Sequence, residues 1–410
     1  MRAPQGEALL AAAFRIVVAD GLAGLTLRPL AQALGVSVTV LTNRYGGRAD
    51  IMAAICGAAA AHDAVLLDGW RETLAALGPL PPVVAAGLAE AILEEQSTSG
   101  RALSALYLEF LHACTWDETL RPAFAGWAGQ RRAFWDDFAG RAALAPPLVA
   151  CGWWSGYVIA ELAYGLALEG DASYRMLRRL GVQRLFAGAV AGLEAADSIL
   201  FGLLRERMGA AEEADTEAGA EAEAGAETGT SKGRAPAWSA QAARACGLRL
   251  AARGIDGLTH RAIAADIGIA HTTLSYRFPT QRDLVIAGLA CIAGHIRAAV
   301  EADSLAGLQR RRAEADGLDP ARASFAVALA AVRLPELARQ TAYMRAWRGS
   351  NLVNVFARYL PEARGIDALC AQVISLGLTG LTNTMPPGAD AEEAVATAYA
   401  AAGRWLRGAG

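Results

Sequence analysis

Apolar residues recur along this chain at the three- and four-residue spacing of helices that each bury one face. The stretch Glu7–Ala19 puts Leu9, Leu10, Ala13, Phe14, Val17 and Val18 on one stripe, and Gly21 follows as a stop. Thr26 stands where a cap is needed for a short helix, Leu27–Leu34, with Pro29 tolerated in its first turn. Gly35 permits a sharp left-handed turn. Ser37 can then cap a helix over Val38–Arg44 whose Leu41 points to the core. Gly46 and Gly47 break that helix, and a long fourth one is predicted from Arg48 to about Leu67.

The same grammar returns later in the chain. Helices are predicted over Ser239–Arg253, Arg261–Ile267, His271–Arg277 and Gln281–Val300. At a constant offset of 233, Ala19–Ile51 aligns with Ala252–Leu284 over 33 positions without a gap, and 12 are identical. The matches put Gly21/Gly254, Gly24/Gly257, Thr26/Thr259, Gly35/Gly268 and Thr39/Thr272 in register. A period this long marks a duplicated domain, not a solenoid unit. Ala270 replaces the capping Ser37, at a cost of about 1 kcal/mol unless another group substitutes.

Between the copies, Gly209–Ala237 carries seven acids, two bases and almost no bulky apolar side chain. Such a segment is read as a flexible acidic linker with a reach of about 30 Å. The expected division is therefore a first copy of the repeat at 1–66, a helical domain at 67–208 and the linker at 209–237. A second copy at 238–300 and a second helical domain at 301–410 complete it. The fold class expected is all-α.

Composition narrows the partners. The 410 residues are 54% hydrophobic with a formal charge of −3, which argues against coating nucleic acid by bulk charge. Locally the balance reverses: residues 1–50 hold five arginines against three carboxylates, and residues 239–284 hold six against three. Lys232 is the only lysine. The six cysteines have no Cys-x-x-Cys spacing and no histidine at zinc-ligand distance, so no metal or cofactor is expected and a reducing cytoplasm is. Ala8–Val18 imitates a signal-peptide core but is interrupted by Arg15. Pro146–Leu168 carries one charge, Glu161, and is long enough for a bilayer. Its small residues and missing basic flank favour a buried helix, so no membrane partner is expected.

Two short helices joined by a glycine turn form a helix-turn-helix, whose second helix enters the major groove of DNA. Backbone contacts are expected from Thr26, Arg28 and Arg48 in the first copy and Thr259, Arg261 and Arg282 in the second, around helix N-termini that attract phosphate. On the reading helices the exposed set is Val38, Thr39, Thr42, Asn43 and Arg44, and its counterpart is His271, Thr272, Ser275, Tyr276 and Arg277. Asn43 suits adenine, and threonine methyls suit thymine.

The stretches TLRPLAQALGVSVTVLTNRYGGRADI and THRAIAADIGIAHTTLSYRFPTQRDL resemble the TetR/AcrR family of repressors over about 45 residues per copy. The resemblance implies an all-α regulatory domain with a ligand pocket and a helix-bundle dimer interface, here closed within one chain as a pseudo-dimer. Two positions depart from the family pattern. A tyrosine that usually follows the buried reading-helix leucine is Thr42 or Ser275, and the lysine opening the fourth helix is Arg48 or Gln281.

The remainder is expected to be helical, ending in the pairs Pro146–Leu168 with Ser173–Arg207 and Ile366–Thr384 with Ala391–Arg407. Small residues every fourth position, Gly152/Gly156/Ala160, Gly188/Gly192/Ala196 and Ala394/Ala398/Ala402, suit a tight four-helix bundle joining the halves. Trp116, Trp127, Trp153 and Tyr157 are candidate lining for an apolar or aromatic effector, with ordinary core packing as the alternative. His62, His112, His260, His271 and His295 fall in no catalytic pattern, so no enzyme is expected. The expected function is a ligand-responsive repressor bound to double-stranded operator DNA. The alternative is a sensor or interaction module that has lost DNA binding.

Overall fold

The stripe predicted for the first helix is the one the protein buries. In α1 (Gln5–Asp20), Leu9, Leu10, Ala13 and Val17 lie in the core, joined by Ala12 and Ile16. Gly21, at φ 65°, ends the helix and leads into a 3-10 turn over Leu22–Gly24. α2 (Leu27–Leu34) and α3 (Val38–Tyr45) meet at Gly35 in the left-handed region, φ 67° and ψ 31°. α4 (Arg48–Leu77) runs past the expected end near Leu67, because Leu74 continues its buried stripe and Gly69 keeps helical geometry; Gly78, at φ 70°, ends it. The computed structural model describes residues 5–188, 198–209, 237–300, 318–350, 352–353 and 367–407, and among these every regular element is helical.

The chain continues through α5 (Pro82–Ser97), α6 (Arg101–Ala113), α7 (Arg121–Arg141), α8 (Pro146–Ala150), α9 (Trp153–Leu168) and α10 (Ala172–Ala187). Two expected helices are shorter than the pattern suggests. Gly152, at φ 78°, divides Pro146–Leu168 into α8 and α9, and Gly188, at φ 92°, ends α10 well before Arg207. Residues 198–209 are helical again. Gly192 and Ala196 of the second small-residue stripe, and nearly all of the acidic linker, lie outside the described residues.

The second copy forms α11 (Ala237–Arg253), a 3-10 turn Ile255–Gly257, α12 (His260–Ile267), α13 (His271–Arg277) and α14 (Gln281–Val300). α15 (Pro320–Ala331), α16 (Ala338–Ala346), α17 (Ala368–Thr382) and α18 (Ala389–Leu406) follow. Asp171, Asp319 and Asp367 cap α10, α15 and α17 by accepting backbone N–H bonds.

Among the described residues, two hydrophobic cores result. The smaller joins α11–α14 with part of α15. The larger runs from α1 to α18 and includes residues of both halves. Its centre is the crossing of α9 and α17. A Cβ on Gly156 or Gly380 would overlap backbone of the facing helix, and one on Gly377 would overlap the Trp153 indole. Trp153 Nε1 donates to Ile374 O at 3.2 Å. Around this crossing, Arg345 donates to Glu161 at 2.7 Å with both side chains fully buried, and Arg184 donates to Asp367 at 2.9 Å. Tyr157 and Tyr174 also donate to Glu161. Burial pushes both phenols well above their usual range. Among the described residues, one helix, α4, is by length and composition apolar enough to cross a membrane; α9 is shorter and almost wholly buried.

Candidate nucleic-acid interface

Each candidate reading unit is built from three helices and two glycine turns, and the two copies agree in detail. Gly268 adopts φ 69° and ψ 31°, within a few degrees of Gly35, and each glycine N–H bonds the last carbonyls of the preceding helix. Leu41 and Leu274 anchor α3 and α13 in the cores. That anchoring turns Val38, Thr39, Asn43 and Arg44 outward in one copy and His271, Thr272, Tyr276 and Arg277 in the other. Tyr276 is 92% exposed. The Arg44 guanidinium lies 5.3 Å from the Tyr45 ring centre, and Arg277 lies 5.9 Å from Phe278. Both pairs sit at the C-terminal end of their reading helix.

Thr42 and Ser275 are half-buried, and their hydroxyls donate to carbonyls of their own helices, Val38 O and Thr39 O in one case and His271 O in the other. The caps differ between copies. Ser37 accepts from Val40 N at 3.2 Å, whereas Ala270 offers no side-chain acceptor. Thr259 accepts from Ala262 N at 3.2 Å, but Thr26, expected to cap, forms no such bond although its backbone is equally extended.

Arg28, Arg48, Arg261 and Arg282 are exposed around the helix starts. Gln281 is committed elsewhere: its Nε2 donates to Ile255 O and Leu258 O at 3.1 Å, tying α14 to the 3-10 turn. Sequence reasoning missed the group that opens each fourth helix. Asp50 accepts from Gly47 N at 2.9 Å, and Asp283 accepts from Thr280 N at 2.8 Å. Their identity across the duplication was the available signal. His260 was missed too; its Nε2 lies 2.6 Å from Phe278 O and fastens α12 to the end of α13.

No family model matches this chain, and no curated protein matches it significantly. The functional reading therefore rests on the residues themselves.

The four candidate effector residues do not gather around one cavity. Trp127 donates to the buried Asp63 at 2.7 Å beside Arg131, while Trp153 and Tyr157 pack at the α9–α17 crossing. These three serve the core. Trp116 alone borders an open cavity, of about 330 Å³, lined from four directions: Leu22 and Arg48, α6 and the turn after it, Arg249–Ala262, and α15 with Arg333. Across it runs a chain of charges. Glu109 accepts from Leu22 N at 3.2 Å and from Arg333 at 2.5 Å, and Arg333 also donates to Asp256 at 2.8 Å. Burial lifts the Glu109 carboxyl above the ordinary range against the opposing pull of Arg333. Among the described residues, no cluster of three or more His, Cys, Asp or Glu is placed to hold a metal ion.

Proposed function

We propose that this protein is a DNA-binding transcriptional regulator whose two helix-turn-helix heads lie in one polypeptide and act as an intramolecular pseudo-dimer. One observation carries the reading. The duplicated segments share a left-handed glycine turn at matching angles, an anchoring leucine and an outward-facing polar helix. The resemblance to TetR/AcrR repressors points the same way, and ligand-released repression is the mode it implies. Exposed arginines at the helix starts suit phosphate contacts, which position a protein without reading sequence. Asn43, Thr39, His271, Thr272 and Tyr276 are then the base-reading side chains.

Because α3 and α13 differ at Val38/His271, Thr42/Ser275 and Asn43/Tyr276, the two half-sites are unlike and lie about 34–36 Å apart, one helical turn. The test is binding to DNA flanking the protein's own gene across a salt series. Arg28→Ala/Arg261→Ala is expected to weaken binding and to lower the salt slope by about 2. An unchanged slope removes these arginines from the interface. Selection from random DNA that returned a perfect palindrome would sink the pseudo-dimer.

A second reading is a sensor or interaction module of the same architecture without DNA binding. It is favoured by the hydroxyls of Thr42 and Ser275 turned into their own helices and by Gln281 bound to backbone. Absence of any salt-dependent DNA binding would decide for it.

A further inference from the structure

The cavity beside Trp116 is lined by both heads, and His112 is the most buried polar residue of its lining. This side chain is 5% exposed, and both ring nitrogens lack a hydrogen-bond partner. A buried polar group left unpaired costs free energy that a bound partner recovers. The ring is fixed by Trp116, edge-on at 4.5 Å between centres, and by Phe325 at 5.8 Å. Gly254 packs against it without a side chain: a Cβ there would lie 2.8 Å from His112 Nε2, and a ligand atom reaches that nitrogen as the Gly254 turn shifts aside. Neutral imidazole presents one donor and one acceptor, which suits a hydroxyl or amide.

Leu22, Ile255, Leu329 and Trp116 give the wall its apolar part, and three carboxylates also line it, Glu109 and Asp256 held by Arg333 and Asp117 accepting from Thr119. At the border stand Arg48 from one head and Arg253 from the other, both exposed and neither with a partner among the described residues. Arg333 and Arg249, by contrast, are paired with carboxylates. A cavity of this volume falls at the small end of ligand pockets.

We propose that this inter-head cavity is a regulatory ligand site for a small organic carboxylate with an apolar or aromatic body. The body lies on Trp116 and Leu329 with a polar substituent on His112, and the carboxylate draws Arg48 and Arg253 together. The regulatory consequence rests on the DNA-binding reading. Arg48 is a phosphate contact of the first head, so a ligand that holds it removes that contact. The ligand also lies against the Glu109–Arg333–Asp256 chain that links the heads, and a preference for one head spacing shifts the population between DNA-competent and incompetent states.

The test is calorimetric titration of the full chain, without DNA, using 1-naphthoate as the probe and 1-naphthamide as its uncharged counterpart. One saturable naphthoate site per chain is expected, with naphthamide at least about tenfold weaker. Arg253→Gln, an exposed change, is expected to weaken naphthoate by about tenfold with an unaltered thermal melt. In chain labelled with ¹⁵N-histidine, the ring nitrogens of His112 are expected to shift on titration, which reports the site without any change to the core. No saturable binding, naphthoate affinity unchanged in Arg253→Gln, or an unmoved His112 resonance would each overturn the site. Since DNA is absent from these measurements, its failure to bind would end the regulator reading and leave the ligand site standing. Operator binding without naphthoate binding would do the reverse.

Discussion

His112 is also the residue whose ionisation bears most directly on stability. Burial first, and then the charges of Arg322 and Arg333, lower its pKa to about 3. In the unfolded chain the ring takes up a proton near the ordinary value of about 6.5. Between those values the unfolded state binds one more proton than the folded state, so stability rises with pH and is lost on acidification. The slope from this one group approaches about 1.4 kcal/mol per pH unit. Urea denaturation between about pH 6 and pH 4 is expected to show a shallower decline in His112→Phe than in the parent, by about 1 kcal/mol per unit. Equal slopes would mean that the folded state admits the proton. At this scale the sequence was legible for backbone roles and less so for hydroxyls. The duplicated threonines Thr26 and Thr259 promise identical caps, yet only Thr259 makes one. Rotamer choice decides that bond, and pattern does not carry rotamers.

At the scale of elements, two glycines with different duties make a contrast. Gly35 needs its left-handed angle, but nothing lies within 4 Å of where a Cβ would stand. Gly35→Ala therefore costs only backbone strain, about 1 kcal/mol. Gly380 has ordinary helical geometry, but a Cβ there would overlap Gly156 O on the facing helix. Gly380→Ala is expected to cost about 3 kcal/mol or more, since two packed backbones must separate. Chemical denaturation of the two variants ranks them, and a smaller loss for Gly380→Ala would contradict so close a crossing. The Gly152/Gly156/Ala160 stripe pointed to this contact. Gly377 and Gly380 were not singled out, because a lone pair of glycines in a long apolar helix has no period. The expected helices Pro146–Leu168 and Ser173–Arg207 were interrupted for a related reason. Their glycines fit a small-residue stripe, and only packing shows that Gly152 and Gly188 take positive φ instead.

For the whole molecule, the ion pair Arg345–Glu161 joins residues 184 positions apart inside the larger core. Removing one partner of such a pair leaves an uncompensated buried charge, at a cost of about 3–5 kcal/mol. Arg345→Met alone is expected to show that loss, and Arg345→Met/Glu161→Gln to recover most of it. A double-mutant cycle by urea denaturation measures the coupling, and additive losses would show that the pair is not the joint. With the halves sharing one core, both are expected to unfold in the same transition.

The sequence by itself determined the helices and the duplication. Apolar spacing, glycine stops and the register of Gly35/Gly268 and Leu41/Leu274 are local properties, and local properties repeat when a segment is duplicated. It also marked which faces of α3 and α13 turn outward. Only the tertiary structure decided what the aromatic residues do. Trp127, Trp153 and Tyr157 are equally apolar wherever they fall, and their burial in the core rather than around a ligand depends on which helices cross. The cavity between the heads belongs to the same class. His112, Arg253 and Arg333 lie far apart along the chain, and no spacing between them announces a shared wall. A space between elements exists only once the elements have been placed.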